Sequence, residues 1–205
     1  NENYNSRSMS QDMTRSFVST VFLWMFAALG ITAATAFLFG TNVNLMSLLM
    51  NVTPEGYAKV SALGWIVTFA PFIIVLVMSA RINKMSVQQT VLWYVIYSIL
   101  MGMSLSFIFW AYTSASIFKT FIITAGMFGV MAVVGYTTKT DLTKFGSFLL
   151  MALIGIIIAT LVNFFMHSAR LDYIISIFGV LIFTGLTAFD VQKIKQIGDA
   201  GINDG

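Results

Sequence analysis

The sequence predicts an all-α, polytopic membrane protein, a bundle of six hydrophobic helices. Two features of its composition support this: 58% of the 205 residues are hydrophobic and only 9% are charged, whereas soluble domains carry roughly 25% charged residues. A third feature is that the apolar residues lie in continuous runs. The length of each run is close to the about 20 residues that a helix needs to cross a bilayer. So little charge cannot cover a water-facing surface, so we expect a lipid bilayer around the chain.

Six runs meet the length criterion, with polar segments between them. They are Phe17–Phe39, Ser61–Ala80, Val87–Tyr112, Ile117–Thr137, Phe145–Phe165 and Tyr173–Phe189. These predicted spans contain no acidic residue, and Lys119 is their one basic residue. We expect helices and not a β-barrel, because barrel strands alternate apolar and polar residues over segments of about ten.

The predicted organisation is one transmembrane domain with short polar ends. Residues 1–16 form a polar N-terminal segment, residues 17–197 the helical domain, and residues 198–205 a polar tail or linker. The connection over residues 40–60 is predicted to contain a short helix lying on the membrane surface. Pro71 is predicted to kink the second span. Small residues let helices approach closely, and we interpret six glycines in this way: Gly102, Gly126, Gly129, Gly155, Gly179 and Gly185.

The basic residues are distributed unevenly between the two sides of the predicted bundle. Eight lie on the side of the N-terminus, namely Arg7, Arg15, Arg81, Lys84, Lys139, Lys144, Lys193 and Lys195. Three lie on the other side, namely Lys59, Lys119 and Arg170. Because cytoplasmic loops carry the excess of Lys and Arg, the eight-to-three split predicts a cytoplasmic N-terminus and a cytoplasmic end of the sixth span.

Several classes of function are disfavoured by the residues present. The chain has no cysteine and one histidine, which excludes thiolate metal sites and histidine clusters. Eleven basic residues spread over 205 positions form no stripe that would bind nucleic acid. His167 is predicted on the opposite side from the cytoplasm, and Ser104 lies in GMSLS, which lacks the closing glycine of a serine-hydrolase motif. We therefore expect no enzyme and no cofactor.

Two charged residues lie at the predicted cytoplasmic ends of inward-running spans, Arg81 after the second and Asp190 after the sixth. They share a predicted depth and would meet if the two helices are neighbours. The plainer interpretation is that both are interfacial charges where helices leave the lipid. Asp141, in the loop before the fifth span, is interpreted chiefly as a helix cap, because an acid near a helix start is stabilised by the helix dipole.

Two segments resemble the Bax inhibitor family of transmembrane proteins, in the form found in bacteria. They are GYTTKTDLTKFGSFLLMALIGIIIA (Gly135–Ala159) and IFTGLTAFDVQKIKQI (Ile182–Ile197), in which FDVQKI is similar to the family's sixth-span signature. The resemblance implies a seven-helix fold in a bacterial inner membrane and a calcium leak that is sensitive to pH. It also implies that a carboxylate at the position of Asp190 shares a proton with a carboxylate on the seventh helix, and that an arginine competes for it, for which Arg81 is the candidate.

The sequence departs from the family pattern after residue 197, where no seventh apolar run follows. Asp199 and Asp204 are poor substitutes for the second carboxylate. We expect that the seventh helix is missing from this chain, although a six-helix variant is an alternative. A different class of function also stays open: a non-conducting regulatory membrane protein that binds a membrane protease or a partner in stress or cell death. For a leak, the partners are the bilayer and calcium ions.

The predicted topology can be tested by labelling with a membrane-impermeant maleimide, because the chain has no native cysteine. In intact cells with a permeabilised outer membrane, we expect a cysteine at Arg170 to react and a cysteine at Lys84 to react only after the inner membrane is opened. Equal labelling of both variants before opening would contradict the predicted orientation.

Overall fold

A computed structural model describes the secondary structure of residues 2–52 and 58–203 and the side chains of residues 12–51 and 58–200. The side chain of Arg7 and the whole of Asp204, both considered above, lie outside the described residues. The helices are α1 (Glu2–Thr41), α2 (Val43–Leu49), α3 (Ala62–Arg81), α4 (Val87–Leu105), α5 (Ile108–Ala111), α6 (Ser114–Thr137), α7 (Thr143–Met166) and α8 (Ala169–Asn203). A short hairpin, β1 (Met50–Val52) and β2 (Ala58–Val60), joins α2 to α3.

The prediction of six membrane spans is confirmed. Within the described part of the chain, six helical segments are long and apolar enough to cross a membrane: Asp12–Thr41, Ala62–Lys84, Val87–Ala111, Ser114–Thr137, Thr143–Met166 and Ala169–Ala200. At most 22% of the most apolar window of each segment is buried within the protein, and in Ser114–Thr137 none is. Such exposed apolar surface requires lipid as its solvent.

The first and last helices are longer than the apolar runs predict. α1 begins at Glu2 and therefore includes most of the polar segment 1–16. α8 continues to Asn203, so residues 198–203 do not form an irregular linker. No proline interrupts the polar start of α1 or the polar end of α8. These two helix ends contact each other, as described below, whereas the apolar runs are surrounded by lipid.

Two compact units make up the chain, one of residues 1–20 and 121–205 and the other of residues 21–120. In the 21–120 unit, α3 packs against α4, and Met46, Leu49 and Val67 form a buried cluster. The connection over residues 40–60 contains the expected short helix, α2, and also the hairpin, which was not predicted. Ser61 joins the hairpin to α3: its hydroxyl accepts a bond from Gly64 N at 3.0 Å and donates one to Leu48 O at 2.7 Å.

The third predicted span is interrupted near its end. α4 ends at Leu105, a turn follows at Ser106 and Phe107, and the short α5 completes the segment. The fully buried Ser106 donates its hydroxyl to Met103 O at 2.6 Å. This local bond, to the carbonyl three residues earlier, competes with helical pairing at the point where the helix breaks. Pro71 lies within α3, and the kink predicted there stays a prediction.

In the other unit, α7 packs against α8 through a cluster of Leu149, Ile182 and Leu186. The predicted close-packing role is confirmed for two of the six glycines, Gly185 against Leu149 here and Gly102 against the backbone of Thr32 in the 21–120 unit. It is wrong for four of them, since no described atom would lie within 4 Å of a Cβ added at Gly126, Gly129, Gly155 or Gly179. Gly135 and Gly146, which were not singled out, do pack closely, against Ala188 and Phe189.

Gly135 and Gly129 lie on the same helix and form a matched pair for testing this packing. A Cβ at Gly135 would collide with the backbone of Ala188, whereas one at Gly129 would meet open space. We expect Gly135→Ala to lower the free energy of unfolding by about 1–3 kcal/mol, the usual cost of overpacking. Gly129→Ala should leave it unchanged or raise it by up to about 1 kcal/mol through helix propensity. Unfolding measured in detergent checks both variants, and equal stability of the two would contradict the packing.

Candidate functional site at the C-terminal end of α8

Asp190 lies within a continuous helix and at one end of its apolar stretch. Asp172 and Asp190 bracket the uncharged residues 173–189 of α8. Eighteen residues of helix rise about 27 Å, close to the about 30 Å thickness of the hydrocarbon core. Asp190 therefore lies near the membrane boundary, and the rest of α8 extends beyond it.

The Asp190 carboxylate is on an exposed face of α8, although both of its chain neighbours are packed. Val191 is 3% exposed, and Phe189 covers Gly146 of α7. Among the described residues of its own unit, none forms a hydrogen bond with Asp190, but the Lys193 ammonium, one turn further along α8, interacts with it electrostatically. Arg81 is the last residue of α3 and is also exposed, and it belongs to the 21–120 unit. The pairing of Arg81 with Asp190 stays a prediction.

The opposite face of α8 is anchored to the loop between α6 and α7 by Gln192. This side chain is 7% exposed and uses both ends of its amide. Its Oε1 accepts a hydrogen bond from Leu142 N at 2.8 Å, and its Nε2 donates one to Thr140 O at 2.8 Å. Gln192 thus holds the backbone on both sides of Asp141.

Lys195 anchors the adjoining end of α6. Its Nζ donates a hydrogen bond to Tyr136 O at 2.9 Å and lies 4.9 Å from the centroid of the Tyr136 ring. The last carbonyls of a helix have no partner within the helix and carry partial negative charge. Lys195 satisfies one of these carbonyls in α6 and adds a cation–π contact.

Asp141 fixes the start of α7, in agreement with its interpretation as a cap. Its Oδ1 accepts hydrogen bonds from the Thr143 hydroxyl at 2.6 Å and the Thr143 amide at 2.9 Å. These bonds, with a smaller contribution from Lys144, hold the pKa of Asp141 below its ordinary value of 3.8. The carboxylate therefore remains ionised at neutral and mildly acidic pH, and it cannot serve as a proton sensor there.

Beyond the membrane boundary, α8 also contacts the start of α1. Thr14, which is 3% exposed, donates its hydroxyl to Asp199 Oδ1 at 2.7 Å, and Phe17 lies close to Gly198. The polar extensions of the two helices therefore support each other. Asp199, considered above only as a substitute carboxylate, has a structural contact instead.

The anchoring residues were missed although their spacing carries a signal. Gln192, Lys195 and Asp199 follow at i, i+3 and i+7, which places them on one face of a helix. Asp190 precedes Gln192 by two residues and so lies about 200° around the helix from it. The face bearing Gln192 contacts protein, and the face bearing Asp190 is open. Among the described residues, no group of three or more His, Asp or Glu side chains could hold a metal ion.

The comparisons with known proteins agree with the resemblance noted above. A family model described as "Inhibitor of apoptosis-promoting Bax1" matches residues 14–204. Inner membrane protein YbhL of Escherichia coli (strain K12) is 43% identical over 185 residues, covering 90% of this chain and 76% of its own length. A Borreliella burgdorferi protein is 43% identical over 181 residues, covering 88% and 75%, and a Deinococcus radiodurans protein is 34% identical over 193 residues, covering 94% and 78%. No solved structure matches the chain.

The cap formed by Asp141 predicts a pH-dependent stability. Because its pKa is lower in the folded protein, its contribution is present above pH 3.8 and is lost as the pH falls through the lower folded value. We expect Asp141→Ala to lower the melting temperature at pH 7 and the difference from the parent to vanish in strong acid. Asp141→Asn, which keeps an acceptor, is the control. A difference that stays constant from pH 7 into strong acid would contradict this role.

Proposed function

The chain belongs to the Bax inhibitor family, and we propose that it forms a pH-sensitive, calcium-permeable leak in which Asp190 holds the proton that controls opening. Arg81 competes for the ionised carboxylate. The membrane is a bacterial inner membrane, and the N-terminus and the C-terminal end of α8 face the cytoplasm. Calcium enters this proposal from the family alone.

The position and exposure of Asp190 in α8 support this proposal. An ionisable residue in a membrane-spanning helix is costly unless it has a partner or reaches an interface. Asp190 lies at the end of the apolar stretch of α8, on its open face, without a hydrogen bond from the described residues of its own unit. Its carboxylate is therefore available to a proton, to a guanidinium or to a passing cation.

Protonation of Asp190 would remove the electrostatic attraction between its carboxylate and the Arg81 guanidinium. Two unit charges about 4 Å apart attract by roughly 4 kcal/mol at an effective dielectric constant of about 20. Both residues are exposed, and an exposed ion pair contributes only about 0.2–1 kcal/mol, so the full attraction requires that the paired helix ends exclude water. Since about 1.4 kcal/mol corresponds to a factor of ten, the contact would shift an equilibrium between two helix arrangements by a few fold when exposed and by up to about a thousandfold when shielded from water.

The test is calcium flux into proteoliposomes across pH 5 to 8, measured with a trapped indicator. We expect the parent flux to depend on pH and the flux through Asp190→Asn to be independent of pH. Asp172→Asn is the matched control, because it removes a carboxylate from the other end of the apolar stretch of the same helix. Arg81→Gln should keep a pH dependence with a displaced midpoint.

An unchanged pH profile in Asp190→Asn would exclude this residue as the sensor. Absence of flux in the parent at every pH would exclude the leak itself. The second result would favour a regulatory membrane protein that carries no ion, to be followed by co-purification of its membrane partner.

A further inference from the structure

We infer that Gln192 and Lys195 are positioning residues that tie the α6–α7 loop to the C-terminal part of α8, so that the loop and this helix end move as one body. The connection itself rests on the contacts of these two side chains. Its consequence for opening rests on the function proposed above, because the displacement would begin at Asp190.

Gln192 is suited to this role because it holds backbone and not side chains. Its amide satisfies the N–H of Leu142 and the carbonyl of Thr140 with two bonds of equal length, and it is almost fully buried. Releasing the loop would leave the buried amide of Gln192 without its two partners, which is unfavourable. The loop therefore follows α8 unless both bonds break together.

Lys195 extends the connection by one helical turn. Its bond to Tyr136 O and its position over the Tyr136 ring hold the end of α6, two residues before the loop begins at Thr138. Together, the two side chains hold the chain at Tyr136, Thr140 and Leu142. This arrangement covers the whole passage from α6 into α7.

Asp190 acts on the other side of the same helix. It lies about 200° from Gln192 around the axis, so a new partner at Asp190 does not compete for the groups that hold the loop. A force applied on the open face would instead displace the helix end with the loop attached. A displacement of α8 that begins at Asp190 would therefore also move the ends of α6 and α7 that Gln192 and Lys195 hold.

The test uses distances between spin labels in the full chain reconstituted in liposomes. The absence of native cysteine permits a doubly labelled parent, Lys139→Cys with Ser176→Cys, both at exposed positions. Ser176 lies 16 residues before Gln192 on α8, about 24 Å along the helix, which suits pulsed electron paramagnetic resonance. We expect one narrow distance distribution for the parent.

The decisive variants are Gln192→Leu and Lys195→Met in this labelled background. Gln192→Leu should broaden the distribution at least twofold, because both of its bonds to the loop are lost. Lys195→Met should broaden it measurably but less, because it frees the end of α6 while the bonds of Gln192 remain. Gln196→Leu and Lys193→Met are matched controls at exposed positions of the same helix. The contacts of Lys193, with the Phe189 ring and the Asp190 carboxylate, lie within α8, so both controls should leave the distribution narrow. Lys195→Arg should also keep it narrow, since a guanidinium can donate to the carbonyl and stack on the ring.

The inference would be overturned if the distance distributions of Gln192→Leu and Lys195→Met were both as narrow as that of the parent. If Gln192→Leu yields no folded protein, the comparison of Lys195→Met with Lys195→Arg decides. The outcome does not depend on flux: a parent without calcium flux would remove the proposed leak and leave the distance result standing. If the leak is present, Lys195→Met should displace the midpoint of its pH profile and Lys195→Arg should not.

Discussion

Hydrocarbon offers no hydrogen bonds, and this constraint governs where each polar group of the protein can lie. The backbone satisfies it by forming helices. Hydroxyl groups within the spans satisfy it by bonding to the preceding turn: Thr160 donates to Ile156 O at 2.9 Å, and Thr184 donates to Val180 O at 2.6 Å. Longer polar side chains are absent from the apolar part of α8 and gather where that stretch ends. The anchoring contacts of Gln192 and Lys195 occur where they do because the lipid leaves no other depth for them.

The same solvent explains the small size of the buried clusters. Lipid tails are as apolar as leucine, so burying an apolar side chain between helices brings little gain, and association depends on close packing. Accordingly, Phe165 is 80% exposed and Phe26 is 76% exposed, while contacts between helices use positions without a side chain, such as Gly135 against Ala188. Specific contacts at a few glycines and at the polar ends then determine which helices are neighbours within each unit.

The spans could be predicted from the sequence because length and apolarity are the requirements for crossing a bilayer, and both can be counted along the chain. The break at Ser106 could not, because serine within a helix usually bonds to the preceding turn without interrupting it. The glycines show the same limit: spacing does not distinguish Gly135, which faces Ala188, from Gly129, which faces open space. At the candidate site, Asp190 was found by its charge in an apolar context. Gln192 could not be predicted in this way, because a neutral amide at a helix end does not stand out from its neighbours. Its role depends on hydrogen bonds to a loop 50 residues away in sequence.

The way Gln192 holds the loop has a consequence for sequence variation. Its two bonds end on the carbonyl of Thr140 and the amide of Leu142, atoms that nearly every amino acid possesses. The side chains at these two positions are therefore free to diverge among related proteins without loss of either bond. Proline at position 142 is the exception, because it has no N–H to donate. A loop fastened in this way can change its surface chemistry, and with it what it meets in the surrounding solution, while its attachment to the membrane helices stays constant.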